Sequence, residues 1–291
     1  MPASPAPRAG TLTALRVVVV TRVPPVLLGF HATIVELGHE PVALLTLGGE
    51  SPFGAELLAS VPPGLDVLMP GRRASIAPLL AAVRPDLVVC MGFPWKVPAD
   101  ALAVPPLGWL NGHPSLLPRH RGPVPVAWAI RNGDEELGVT FHFMDAELDT
   151  GPVVAQRVHP LGEFAEPDEF YARMGVVVVE TLREALEKIA AGDRGTPQPE
   201  GGEYETFFTE DDVHLDLSRP AREVHRLVWA WHFTIPHGTE RGALLELDGE
   251  TVRVLRSSLE EVEGARRVEC ADAPLWLVST EPVPPASPPS A

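Results

Sequence analysis

Residues 15–21 read Leu-Arg-Val-Val-Val-Val-Thr and residues 86–91 read Asp-Leu-Val-Val-Cys-Met, two short runs with apolar residues at successive positions. A strand wet on one face alternates polar and apolar residues, whereas a run without alternation suits a strand covered on both faces. Two further runs, 41–47 and 65–69, repeat the pattern, and the stretches between the four have helical length. Strands alternating with helices predict an α/β fold on a doubly wound, mainly parallel sheet.

Beyond residue 105 the pattern changes. A strand-like run at 107–111 leads into a Pro-rich loop, a helix near 124–132 and strand-like runs at 139–144 and 153–158. A long helix over 167–191, with Val176, Val179, Leu182, Leu186 and Ile189 at roughly helical spacing, is expected to close a catalytic domain over 14–191. Residues 192–206 read as a linker, being rich in Gly, Pro and charge. A helix over 221–233 places Val224, Leu227, Val228 and Trp231 on one face, and runs at 244–247, 251–255 and 275–278 follow. They predict a small C-terminal β-barrel-like module over 207–280. The ends, 1–13 and 281–291, are Pro/Ala/Ser-rich and too poor in apolar surface to offset chain entropy, so both are expected to be disordered.

A chain of 291 residues accommodates one large domain and a smaller one. It carries 23 Lys+Arg against 39 Asp+Glu, for a net charge of −16, and its only lysines are Lys96 and Lys188. Such a chain repels polyphosphates unless its arginines cluster. Cys90 and Cys270 make no disulfide framework, and Cys90 in its apolar run reads as a buried thiol. The first residues carry prolines where a secretory segment needs apolar residues, and no apolar run reaches a membrane span. A cytoplasmic protein without membrane contact is the expectation.

In open α/β sheets ligands bind at the carboxyl ends of strands, so the loops there are where chemistry is sought. One such loop reads Asn111-Gly-His113-Pro-Ser115-Leu-Leu-Pro118-Arg-His120-Arg121-Gly122, and another Asp145-Ala-Glu-Leu148-Asp149-Thr-Gly151-Pro152. Asn111 and His113, two residues apart, project to one side of an extended strand end, and Gly112 leaves room for close approach. An amide donor beside an imidazole suits acyl transfer, with Asp149 placed to orient the ring. The same residues also read as turn chemistry alone. Other chemistries lack their signatures. The turn Thr21-Arg-Val-Pro-Pro25 has no glycine for cradling phosphates. His113 and His120 have no Glu or Cys at metal-ligand spacing, so no metal is expected. Ser115 lacks the glycine-flanked elbow of a hydrolase.

Taken together, Asn111-x-His113-x-Ser115-Leu-Leu-Pro118-x-x-Arg121-Gly122, then Gly138-Val-Thr140, then Leu148-Asp149-Thr-Gly151-Pro resembles the folate-dependent formyltransferase family across 108–156. The resemblance implies 10-formyltetrahydrofolate as formyl donor and Asn111, His113 and Asp149 as catalytic residues. Asn111 and a protonated His113 would stabilise the oxyanion, and Asp149 would tune His113 and help remove the amine proton. It also implies a folate pocket between 92–98 and 145–149, with Phe93, Trp95, Val97, Asp145 and Leu148 as its cofactor-binding residues. There, backbone groups usually read the pterin, and Trp95 is equally suited to packing.

The resemblance continues weakly through Asp211-Asp212, 217–221, His225, Arg226, 268–272 and Leu275, which look like the C-terminal barrel of methionyl-tRNA formyltransferases, a module also found on some sugar formyltransferases. Two departures count against tRNA. The glycine-free turn at 21–25 and the acidic stretch Gly48-Gly-Glu-Ser-Pro-Phe-Gly54 stand where the tRNA enzymes carry a Gly-Thr turn and a basic loop. Residues 207–278 carry 8 arginines against 14 acidic residues. The expected partner is therefore a small-molecule amine, such as an amino sugar nucleotide. Methionyl-tRNA is the alternative, and a non-catalytic folate-binding protein a second one. Trp229, Trp231 and His232 could line an acceptor pocket, although Trp231 also fits a core.

Overall fold

Four valines in succession make β1 (Arg16–Val20), and Val17, Val18, Val19 and Val20 are all fully buried, as a strand covered on both faces requires. The structure is a computed structural model and describes residues 14–48, 54–162, 166–234 and 242–283. The expected N-terminal tail at 1–13, residues 49–53 of the acidic stretch, and 284–291 of the expected C-terminal tail lie outside the described residues.

Strands β2 (Glu40–Leu45), β3 (Asp66–Leu68), β4 (Leu87–Cys90) and β5 (Trp109–His113) join β1 in parallel, and β6 (Glu136–Phe143) and β7 (Val153–Pro160) complete a seven-stranded sheet of order β3-β2-β1-β4-β5-β6-β7. The order reverses at β1, where β2 lies on one side and β4 on the other. A ligand crevice opens at such a switch point beyond the carboxyl ends of the strands. The pairing of β6 with β5 is antiparallel, so the sheet is mixed and mainly parallel.

Helices α1 (Pro24–Glu36), α2 (Gly54–Ala59), α3 (Ile76–Val83) and α4 (Ala99–Leu102) make the connections between the parallel strands. Pro24 and Pro25 open α1, where a missing N–H costs nothing, and Leu27, Phe30 and Ile34 form its buried stripe. Helix α5 (Pro125–Asn132) ends on Gly133 in the left-handed conformation, a common helix terminator. Helix α6 (Pro167–Ala190) buries Phe170, Met174, Val178, Leu182, Leu186 and Ile189. Val176, expected on that face, is 60% exposed. Val176 to Val179 are all valine, so they do not set the phase of the helix. Phe170 and Met174, four residues apart, do.

The chain forms two compact units interleaved in sequence: Met1–Arg121, Gly138–His159 and Asp168–Glu203 in one, and Gly122–Leu137, Pro160–Pro167 and Tyr204–Ala291 in the other. The second contains α7 (Ala221–Ala230) and a curled antiparallel half-barrel of β8 (Ala243–Leu247), β9 (Glu250–Ser258), β10 (Arg266–Glu269) and β11 (Pro274–Pro282), in the order β10-β11-β9-β8. Strand β10 was not legible as a strand, because Arg266, Arg267 and Glu269 surround its single buried residue, Val268. Strand β11 runs through Pro282, two residues into the expected tail.

Within this second unit Trp128, Phe208 and Trp231 meet edge to face with centroids 5.0 and 5.3 Å apart. Arg131 lies over the Trp128 ring and pairs with Asp212. Trp229 and Trp231 are both 9% exposed, and Trp229 packs on Phe233. His232 is exposed, with its Nε2–H donating to the Leu255 carbonyl at 2.7 Å. The tryptophans therefore build this unit's core. Asp272, part of the sequence resemblance, accepts from the first amide of α7 at 2.7 Å, the work of a helix cap.

Candidate active site

Asn111, Gly112 and His113 occupy the carboxyl end of β5, where antiparallel pairing sets Asn111 opposite His142, Gly112 opposite Phe141 and His113 opposite Thr140. A Cβ on Gly112 would come within 2.9 Å of the Phe141 ring, so this position needs its hydrogen. The Asn111 side-chain amide donates to His142 Nε2 at 3.2 Å. His142 Nδ1 lies 3.0 Å from the Phe143 carbonyl, which can only accept. The His142 ring is therefore the Nδ1–H tautomer with its Nε2 lone pair toward Asn111.

The same reasoning fixes His113. Its Nε2 lies 2.8 Å from the His120 carbonyl and must donate, which turns Nδ1 toward the second loop. There, one oxygen of Asp149, Oδ1, lies 3.7 Å from His113 Nδ1 and also 3.7 Å from His142 Nε2. His113, His142 and Asp149 are all largely buried, with side-chain exposures of 6%, 1% and 14%. Burial pushes the His113 imidazole below its ordinary pKa, while Asp149 and the His120 carbonyl pull it back up and His142 and His120 add to the lowering. Burial thus disfavours the imidazolium, while the Asp149 oxygen facing Nδ1 favours it. His113 Nδ1 and His142 Nε2 thus converge on one oxygen of Asp149, and the Asn111 amide donates to His142.

Much of the remaining sequence motif builds the scaffold. Thr140 Oγ1 donates to the Ser115 carbonyl at 2.7 Å and accepts from the Leu117 amide at 3.2 Å and from Gln156 Nε2 at 2.7 Å. Ser115 Oγ donates to the Arg119 carbonyl at 2.7 Å. Ser115 and Thr140 are fully buried. Gly151 is required because a Cβ there would sit 1.8 Å from the Phe143 carbonyl oxygen. Asp149 itself holds φ +58°, a left-handed conformation that Asp tolerates better than most residues.

Phe93 and Trp95 meet edge to face at 6.0 Å and are half-buried against the cluster of Cys90, Val97, Ala101 and Trp109 that Met144 also covers. Leu148 is 44% exposed, and the Asp145 carboxylate accepts from the Glu147 amide at 3.1 Å and from Thr150 Oγ1 at 2.8 Å. Asp145 thereby shapes its own turn. The Val97 side chain is only 8% exposed, so a ligand would reach this residue through its backbone. Burial, with a smaller contribution from Asp149, pushes the Cys90 thiol up to about 12, which leaves it a neutral packing group beneath the site. Among the described residues no group of three His, Cys, Asp or Glu side chains could hold a metal ion, and no helix is long and apolar enough to cross a membrane.

An open, mainly parallel sheet thus carries a half-buried amide and a buried imidazole at the end of β5, a second buried imidazole on β6 and a carboxylate in the loop that follows, making an α/β protein with polar groups of the kind that proton-transfer chemistry uses. The Formyl transferase family matches residues 71–186. A methionyl-tRNA formyltransferase from Roseiflexus castenholzii is 37% identical over 232 residues, covering 75% of this chain and 74% of its own. The aligned region spans between 59% and 74% of the length of the methionyl-tRNA formyltransferases compared, and less than two thirds in most of them. HypX from Aquifex aeolicus, solved with tetrahydrofolic acid, shares the fold over 93% of this chain and 44% of its own, with TM-score 0.67 and 21% identity. A sugar N-formyltransferase from a Shewanella species shares it over 86% of this chain and 99% of its own, with TM-score 0.64 and 21% identity. The chain belongs to the folate-dependent formyltransferase family.

Sequence reasoning brought out Asn111, His113 and Asp149, and all three lie in one cluster. It missed His142, which follows Thr140 by two residues and so shares its face of β6. Seeing it required knowing that β6 runs antiparallel to β5.

Proposed function

We propose that this chain transfers the formyl group of 10-formyltetrahydrofolate to a primary amine, and that this amine is the aminoacyl group of methionyl-tRNA. The reaction reading rests on one observation, the convergence of His113 and His142 on a single carboxylate oxygen of Asp149, with the Asn111 amide held against His142. The half-buried rings of Phe93 and Trp95 and the exposed Leu148 suit a flat, partly apolar pterin.

Bound folate supplies an activated formyl carbon. Asn111 donates one amide N–H to His142 and keeps the other for the formyl oxygen as negative charge builds there. Neutral His113 takes the proton of the attacking amine on Nδ1, and Asp149 stabilises the imidazolium so formed. His113 then returns the proton to the departing folate nitrogen as the new carbon–nitrogen bond replaces the old. Holding both reactants against this cluster would supply much of the rest of the rate.

The acceptor assignment is supported by the 35–38% identity to proteins named methionyl-tRNA formyltransferase. It replaces the small-molecule amine expected from charge. The net charge of −16 still favours a small amine as second reading. Formylation of charged initiator tRNA and of a panel of amino sugars, each across a salt series, separates them. Turnover of the tRNA with a steep fall on adding salt supports the first, because only multiple phosphate contacts produce that slope. Turnover confined to small amines and indifferent to salt supports the second.

A further inference from the structure

Gln198 is partly buried in a stretch, 196–200, whose other side chains are exposed. Its amide nitrogen donates to two carbonyls of the catalytic loop at once, those of Asp149 and Gly151, each at 2.9 Å. Its amide oxygen accepts from Arg121 at 2.7 Å, and Arg121 Nε donates to the same Asp149 carbonyl at 3.1 Å. The remaining guanidinium nitrogen donates to the Gly202 carbonyl at 3.3 Å. Two side chains thus place three hydrogen bonds on the backbone of 149–151.

The segment carrying Gln198 is itself fixed to the site loops. Val153 and Thr196 exchange two backbone hydrogen bonds of 2.8 Å. Gly202, at φ +78°, passes so close to Pro118 that a Cβ would lie 2.0 Å from its carbonyl oxygen. Asp149, by contrast, holds a left-handed conformation that an L side chain adopts only when its surroundings determine it. Both Asp149 and Gly151 carbonyls are engaged from the side of the linker, which leaves the Asp149 carboxylate directed at the two imidazoles.

We infer that Gln198 and Arg121 are positioning residues, which hold Asp149 in the backbone conformation that sets its carboxylate against His113 and His142. A stretch that reads from the sequence as a linker is then part of the catalytic apparatus. The inference rests on the proposed role of Asp149. Gln198 meets both demands with one side-chain amide, an acceptor for Arg121 and a donor for the two carbonyls. Glutamate would keep the first and lose the second.

The test is a cycle of Gln198→Leu, Asp149→Asn and the double variant in the full chain, read by NMR titration of the His113 ring and by kcat for formyl transfer to methionyl-tRNA. The charged and titratable groups facing His113 are Asp149, His120 and His142, so loosening Asp149 should lower the His113 titration midpoint. Gln198→Leu should lower that midpoint and reduce kcat at least tenfold, with KM changed less. On the Asp149→Asn background it should change neither by more than twofold, because a group acting only through another has nothing left to position. Gln198→Glu should behave like Gln198→Leu and provides a second variant if the leucine protein folds poorly. An unchanged midpoint in both Gln198 variants, or equal losses on the two backgrounds, would overturn the inference. Asp149→Asn with wild-type kcat and midpoint would instead remove the role of Asp149 on which it stands.

Discussion

Asn111 donates its side-chain amide to His142 across the β5–β6 ladder at 3.2 Å, and the Phe143 carbonyl fixes the His142 tautomer that makes this possible. The orientation of the amide is thereby set before any ligand arrives. A preorganised donor costs no reorganisation at the moment of reaction.

His142→Phe keeps an aromatic ring in a site that is 1% exposed but removes the acceptor for Asn111. The expected result is a fall in kcat of about tenfold or more with a smaller change in folate affinity, since the loss falls on an interaction made in the transition state. Steady-state kinetics with a folate-analogue titration measures both. An unaltered kcat would return His142 to a packing role.

The pH profile should follow neutral His113. Burial holds its pKa below 6.5, so kcat/KM should be flat near neutrality and fall as pH drops through a midpoint below 6.5, where the base is lost. A rate that rises on acidification through this range would show the imidazolium to be the working form.

Stability should respond to acid through His225, whose pKa is lowered from 6.5 to about 4, chiefly by burial and secondarily by Arg222. The unfolded chain binds this proton below 6.5 and the folded chain only near 4. His225 therefore favours the native state fully above pH 6.5, and its contribution is lost as pH falls toward 4, by about 3 kcal/mol in all. In melts between pH 7 and 4, His225→Gln should show a shallower acid slope than wild type. Parallel slopes would contradict this assignment.

Gly151→Ala should be severe. Its Cβ would need the space 1.8 Å from the Phe143 carbonyl, so either β6 or the Asp149 turn must shift. A lowered melting temperature together with lost activity is expected, whereas Gly175→Ala, inside α6 with open space around it, should keep activity and raise the melting temperature slightly.

The strands were legible because Val17–Val20 and Leu87–Cys90 are apolar without alternation, and only a doubly covered strand suits such runs. Helix α6 was legible in extent but not in phase, since four successive valines fit any face. Asn111, His113 and Asp149 were legible through the family motif over 108–156, since their spacing at strand ends reads equally as turn chemistry. His142 was hidden in an apolar strand where a lone histidine reads as core. Gln198 was hidden because its function lies in hydrogen bonds to backbone carbonyls about 50 residues away.

In the proposed reaction Asp149 serves the chemistry and not the fold. The most direct test is single-turnover formyl transfer from 10-formyltetrahydrofolate to methionyl-tRNA by wild type and Asp149→Asn, with melting temperature and folate-analogue affinity measured on the same preparations. The expected rate is at least 100-fold lower in Asp149→Asn, with melting and folate binding close to wild type, because the substitution is nearly isosteric and removes only the charge beside His113. Transfer at the wild-type rate by Asp149→Asn, or a drop in melting temperature large enough to account for the lost rate, would contradict it.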